Sequence, residues 1–398
     1  MVLRNCRLIP ALSDGAAFPL SDVVVKAGKI ERVLPAGSAP AEEDILDLSG
    51  CTLLPGLMDL HVHIVPDDVP DELPWVFDAY HDAVPKLGKF LDKGVTTVRD
   101  CGSSLSLALR LRDGVDKGLY EGPRILSSGR ILSPECMRYG NDRGIHYNAN
   151  GSDECLKAAR KMFAEGADFI KIYATQSITQ VRGQDPKPIY TPEEIRTMVA
   201  VAEENNSYVA AHAHSTLAIN RCIANGVRSV EHSTYMDDES IRLFLNTPDS
   251  WPVLTHACSA LYERGEGDDP KEEVEFWIRE DIRESSRRCR AAEGKAFAAG
   301  IDCGFGTDLF PDNFLKYPYE FQIRTGFCGM TPLDTLKQAT MVSAKIAMLG
   351  DRLGQIKEGY IADLVAVRGK PDEDILLMHN TPAMVMKDGK AVRGIGTR

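Results

Sequence analysis

Leu54-Pro55-Gly56-Leu57-Met58-Asp59-Leu60-His61-Val62-His63 is an apolar run that ends in two histidines one residue apart. Side chains alternate along a strand, so residues two apart project to the same side. Two imidazoles at one strand end can therefore grip one metal ion. The same layout, a short apolar run closed by metal-competent side chains, recurs at Phe169-Ile170-Lys171-Ile172, His212-Ala213-His214, Glu231-His232 and Gly306-Thr307-Asp308. Working outward, the runs at 51–60, 95–99, 124–128, 169–174, 208–212, 229–232, 252–256 and 303–307 read as strands separated by amphipathic, charge-bearing stretches. Helices are clearest at 192–205, where Thr191 and Glu194 form a capping box, and at 152–165, which stops before Gly166. Strict alternation over roughly 300 residues favours an α/β fold of the (β/α)₈ TIM barrel type over an open doubly wound sheet. The glycine-rich phosphate turn of such sheets is missing after the early strands.

The two ends of the chain have a different texture. Val23-Val24-Val25, a Lys26-Ala27-Gly28-Lys29 turn and Ile30–Leu34 read as a hairpin, and Ala383–Met386, Lys387-Asp388-Gly389-Lys390 and Ala391-Val392 read as another. The termini are thus expected to pair into one small sheet domain, 1–54 plus 355–398, around a barrel at 55–354.

The 398 residues carry a net charge of −12 with scattered basic side chains, which argues against nucleic-acid binding. No run approaches the roughly 20 apolar residues of a membrane span, and the N-terminus has no signal-peptide pattern. Ten dispersed cysteines without a CxxC pair read as reduced, buried thiols rather than a thiolate zinc site. A cytoplasmic protein with a small-molecule substrate is expected.

Each metal-competent residue has a bland reading. A lone strand-end histidine is usually structural, Lys171 can snorkel or pair with an acid, and Asp308 can cap a helix. Their joint occurrence at the same end of several strands is what favours a site, because barrel enzymes place catalytic groups there. An unpaired lysine ammonium in an apolar strand would also cost several kcal/mol.

Taken in order, these segments resemble the amidohydrolase superfamily, and within it the imidazolonepropionase-like, prolidase-like and Xaa-Arg carboxypeptidase-like branch. The resemblance spans nearly the whole chain. It also includes Gly94-Val95-Thr96-Thr97-Val98-Arg99-Asp100, Gly166-Ala167-Asp168-Phe169-Ile170-Lys171 and the closing segment 354–367. It implies a small β-sandwich built from the termini, and a homo-oligomer. It further implies a Lys171 carbamate, formed with carbon dioxide, that bridges two divalent ions, of which zinc suits the nitrogen and oxygen ligands. Only a neutral amine can be carbamylated, a form that burial and neighbouring cations favour. One ion would take His61, His63 and Asp308, and the other His212 and His232. A metal-bridging hydroxide would attack the carbonyl while Asp308 carries its proton to the leaving nitrogen. His214 is expected to touch substrate, with the reverse assignment of His212 and His214 left open.

Tyr235, Arg138 and His146 are further candidate substrate contacts, each with a surface-loop alternative. The absence of a His-x-x-Glu acid after strand five favours an amide, of dipeptide or N-acyl amino acid type, over ring deamination. After strand three, Leu132-Ser133-Pro134 replaces the relatives' glycine- and histidine-rich turn, which implies shifted specificity. Cyclic amides, carbamates, ureas or ring deamination remain alternatives, and a catalytically inert scaffold is the remote one. The segment 256–267 reads as a long loop able to act as a lid.

Overall fold

The computed structural model describes residues 1–14, 18–40, 44–65, 69–135, 144–266 and 275–397. It is an α/β structure with parallel sheets. Leu57–Val62, Val95–Asp100 and Arg124–Ser127 form one parallel sheet. A second parallel sheet runs in the order His146–Asn148, Ile131–Ser133, Ile170–Tyr173, Val209–Ala213, Ser229–His232, Trp251–Thr255 and Gly304–Gly306. The sheets meet at two seams. Val62 pairs in parallel with Leu309, and the Asp308 N–H donates to His61 O at 2.8 Å. At the other seam the Asp168 N–H donates to Ser127 O at 2.8 Å. Apart from Arg124–Ser127 and His146–Asn148, which are partly half-buried, these strands are buried on both faces, as expected where helices cover a parallel sheet.

The connecting helices follow their local signals. Pro192–Glu204 starts at a reciprocal Thr191–Glu194 capping box and buries Ile195, Met198, Val199 and Ala202, one side of a 3.6-residue period. Gly151–Glu165 ends at Gly166, whose φ of 100° places it in the left-handed region that glycine tolerates.

The terminal segments share one sheet, in the order Lys390–Gly394, Met384–Lys387, Leu364–Arg368, Cys51–Pro55, Val2–Leu8, Ser21–Lys26 and Lys29–Pro35, with Ile45–Asp47 beside Val2–Leu8. Both anticipated hairpin turns form. Ala27 and Gly28, like Asp388 and Gly389, have positive φ at both central positions, which suits the right-handed twist of the flanking strands. The turns touch each other, since a Cβ on Gly389 would lie 2.7 Å from the Gly28 Cα.

Three expectations need correction. The run 51–60 is two strands, Cys51–Pro55 in the terminal sheet and Leu57–Val62 in the parallel one. Gly56 makes the switch, donating its N–H to Asp363 O at 2.7 Å where a Cβ would sit 2.1 Å from Thr96 Oγ1. The short parallel pair Ile131–Ser133 and His146–Asn148 was not anticipated, because three-residue strands leave no periodicity to read. The segment after strand seven begins not as a loop but as the helix His256–Glu263. The nine described cysteines are free, and all but Cys258 are buried. No described helix is long and apolar enough to cross a membrane.

Candidate active site

The C-terminal ends of the parallel strands open on a cavity of about 630 Å³. Its lining includes His61, His63, His146, His212, His214, His232 and Asp308. Strand alternation brings His61 and His63 together with ring centres 5.4 Å apart, and His61 lies 4.8 Å from His232. Asp308 Oδ1 sits 3.5 Å from the Nε2 atoms of both His61 and His63. Lys171 is fully buried, with Nζ 3.3 Å from His61 Nε2. His232 and Asp308 occupy left-handed backbone, at φ 65° and 58°, which is uncommon outside glycine and asparagine-like residues. Such strained positions cluster where a fold holds side chains in a set geometry.

Five lining imidazoles are pinned through Nδ1, those of His61, His63, His214, His232 and His146. His61 Nδ1 meets Glu231 Oε2 at 2.7 Å, His63 Nδ1 meets Gly102 O at 2.8 Å, His214 Nδ1 meets Thr234 Oγ1 at 2.7 Å and His232 Nδ1 meets Thr255 Oγ1 at 2.7 Å. Each bond fixes ring orientation and leaves Nε2 to face the cavity, the arrangement expected of metal-binding histidines. Glu231 is itself held, by Arg99 Nη2 at 2.7 Å, and Arg99 in turn donates through Nε to Leu60 O at 2.6 Å. His212 stacks on Tyr173 at 4.2 Å and keeps a buried Nε2 with no hydrogen-bond partner among the described residues.

A buried polar atom without a partner is costly unless something is meant to fill the gap. His212, His214 and His232 can bring one atom each within 4.8 Å of one another, as can His61, His232 and Asp308. The donor set therefore fits divalent ions of the zinc type, which favour neutral imidazole and carboxylate ligands. Burial first, and then the charge of Lys171, pulls His63 and His214 down to about 3 and His146 to about 4. His61, His212 and His232 also lie well below the ordinary value, chiefly through burial. Near neutral pH these rings are uncharged and able to donate a lone pair to a cation.

The remaining candidates fare differently. His146 lines the cavity and hydrogen-bonds Ser133 Oγ through Nδ1 at 3.1 Å. Tyr235 is not among the described lining residues; its hydroxyl pairs with Ser285 Oγ at 2.7 Å and Arg288 stacks 3.8 Å over its ring. Arg138 lies outside the described residues. Sequence reasoning noticed Glu231 as part of a strand end but gave it no role, and it gave none to the other residues that pin the histidines or their partners, Thr234, Thr255 and Arg99. It also passed over His256, which lines the cavity and bonds the buried Glu293 at 2.6 Å. The signal was present: Arg99 and Thr255-His256 are polar residues at strand C-terminal ends, like the five ends that were noticed.

The sequence profile of the amidohydrolase family matches residues 52–392. Ochratoxinase of Aspergillus niger is 28% identical over 386 residues, covering 86% of this chain and 76% of that protein. A solved prolidase complexed with N-methylphosphonate-L-proline superposes with a TM-score of 0.88 at 28% identity, covering 99% of each chain. A solved Xaa-Pro dipeptidase with methionine bound in its active site superposes with a TM-score of 0.86, also at 28% identity and 99% coverage of both chains.

Proposed function

The chain belongs to the amidohydrolase family and is a hydrolase of carbon–nitrogen bonds, and from that premise we propose that it cleaves the amide of a dipeptide or N-acyl amino acid at a binuclear metal centre. In this reading the parallel strands close into a (β/α)₈ barrel at 55–354, and 1–54 with 355–398 make a small β-sandwich beside it. The seams at Val62–Leu309 and Ser127–Asp168 support closure.

His61, His63 and Asp308 would hold one ion, and His212 and His232 the other. The unpartnered, buried Nε2 of His212 is the observation that carries this assignment, and it favours His212 over His214 as the ligand. Lys171 is fully buried with Nζ 3.3 Å from His61 Nε2, and in this reading its amine would add carbon dioxide, forming an N–C bond and releasing a proton, to give a carboxylate available to both ions. Bound there, the ions would supply Lewis acidity to the scissile carbonyl and would acidify a water.

The protein's own groups do the rest. Asp308, with a side chain 22% exposed to the cavity, takes the proton of the attacking water and delivers it to the leaving nitrogen. Thr234 orients His214 and Ser133 orients His146, so that each ring can hydrogen-bond the substrate. Tyr235 reaches substrate only if its bond to Ser285 gives way, and it serves first to fix the helix that carries Ser285.

The test is metal content and the mass of the Lys171 peptide on protein purified without chelator, followed by turnover of dipeptides, N-acyl amino acids, a lactam, a carbamate and an aminated ring. Two ions per chain, a bicarbonate-derived label on Lys171 and turnover of the open-chain amides are expected. One ion, no label and turnover only of a ring would overturn the reading.

A further inference from the structure

Asp308 carries the carboxylate that faces both His61 and His63, on a backbone whose φ of 58° lies in the left-handed region that glycine adopts more readily. A conformation of that kind persists only where its surroundings over-determine it. Here the surroundings are supplied by the first parallel strand, Leu57–Val62. Gly306 lets the last strand approach it closely, since a Cβ at that position would lie 2.9 Å from His61 Cβ. Beyond that contact the Asp308 N–H donates to His61 O at 2.8 Å, and Leu309 pairs with Val62.

One buried carboxylate ties the residues on either side of Asp308 to that strand. Asp59 Oδ1 accepts the backbone N–H groups of His61 and Thr307, each at 3.1 Å. Asp59 Oδ2 accepts the Thr307 hydroxyl at 2.6 Å, and Thr307 Oγ1 in turn accepts the Leu309 N–H at 3.2 Å. Asp308 is therefore strung between two neighbours whose polar groups lead back to Asp59, while the same carboxylate holds the backbone of His61. Satisfying two buried N–H groups is a structural duty. The bond to the Thr307 hydroxyl is the one that reaches across Asp308 to Leu309. Asp59 is only 1% exposed and is not among the described residues that line the cavity, so whatever it does for the site it does through others.

We propose that Asp59 is a positioning residue: through Thr307 it holds Asp308 in its left-handed backbone, so that one carboxylate oxygen converges with the Nε2 atoms of His61 and His63, 3.5 Å from each. Without that hold the backbone relaxes toward negative φ and the carboxylate turns away from the two imidazoles. The ion shared by the three would then be held more weakly, and the group that carries the proton would be misplaced. The inference rests on the metal-dependent hydrolysis proposed above and adds the residue that sets its base.

The experiment titrates chelator-treated, full-length protein with cobalt in competition with a chelator, and then measures turnover of an open-chain amide at saturating cobalt. Asp59→Asn keeps an oxygen for the two N–H groups but turns an NH₂ toward the Thr307 hydroxyl. Thr307→Val removes the hydroxyl and keeps the shape, whereas Thr307→Ser keeps the hydroxyl. Asp59→Asn and Thr307→Val should each weaken one of two cobalt sites about 10- to 100-fold, with the other within about 3-fold. At saturating cobalt their kcat should fall about 10-fold or more while KM stays within about 3-fold. Thr307→Ser should stay within about 3-fold of wild type in both measurements. Asp308→Asn should weaken the same cobalt site, and adding Asp59→Asn to it should cost no more than about a further 3-fold, because a residue acting through Asp308 has nothing left to position. Unchanged affinity in Asp59→Asn, equal loss at both cobalt sites, a loss that multiplies with that of Asp308→Asn, or a Thr307→Ser as weak as Thr307→Val would leave Asp59 a structural clamp and overturn the proposal. Should Asp59→Asn fail to fold, the two Thr307 variants decide. Wild type that takes up no cobalt and cleaves no open-chain amide sinks the functional reading instead.

Discussion

Glu231 touches no cavity, yet the site depends on it, because its two oxygens take His61 Nδ1 at 2.7 Å and Arg99 Nη2 at 2.7 Å. Glu231→Gln replaces one acceptor oxygen by an NH₂ group, so either the imidazole or the guanidinium meets a donor. Metal affinity is expected to fall about 10- to 100-fold, with activity falling in step and recovering in excess metal. Chelator competition reads the affinity directly, and an unchanged value would remove Glu231 from the metal-positioning machinery. At this scale the sequence was legible where chemistry and position coincide: His61, His63, Lys171, His212, His232 and Asp308 stand out as polar residues closing apolar strands. Glu231 closes one too, but a carboxylate next to a histidine carries no mark that it serves another strand's imidazole. That pairing joins residues 170 positions apart and is visible only in three dimensions.

Among the elements, Gly56 decides where one sheet stops and the next begins. An alanine there would place its Cβ 2.1 Å from Thr96 Oγ1 and 3.0 Å from Asp363 Cβ, and both of these neighbours are buried. Gly56→Ala should therefore cost about 1–3 kcal/mol of stability by overpacking, measured as a lower urea midpoint with unchanged slope. A variant as stable as the parent would mean that the seam relaxes freely. Capping boxes and Asp-Gly or Ala-Gly turns were readable because they are local, set by residues three apart or adjacent. The split of 51–60 was not, since an uninterrupted apolar run looks the same whether it serves one sheet or two. The helix His256–Glu263 was missed for a related reason: its short apolar content, Ala257 and Leu261, gives one turn of periodicity and no cap, and its N-terminal amides are satisfied instead by Glu320 from a distant helix.

Over the whole molecule, the buried ionisable groups set how stability varies with acidity when the metals are removed. His63 and His214 titrate at about 3 and His146 at about 4 in the folded protein, against an ordinary value of 6.5, and His61, His212 and His232 are displaced in the same direction. Between those values and 6.5 the unfolded chain binds protons that the folded one refuses, so the stability present above pH 6.5 drains away as pH falls. Each fully displaced imidazole contributes a slope of up to about 1.4 kcal/mol per pH unit.

Asp59 and Asp100 work against this. Burial lifts them to about 7 and about 6, so they favour the folded state below the ordinary 3.8 and lose that contribution as pH rises through the folded values. Burial raises Asp168, Glu320 and Asp363 as well, so six imidazoles face five carboxyls and the histidines keep the net slope between pH 5 and 6, while above 6.5 the final ionisation of Asp59 still acts. Urea midpoints of chelator-treated protein should accordingly fall from pH 6.5 to 5 and change little, slightly downward, from 6.5 to 8. Metal-loaded protein should fall more steeply still on the acid side, because protons then compete with the ions for the same lone pairs. A metal-free midpoint that holds level or rises from pH 6.5 to 5 would mean that these rings are hydrated and charged in the folded state, and the cavity would then lack the neutral ligands a binuclear centre requires.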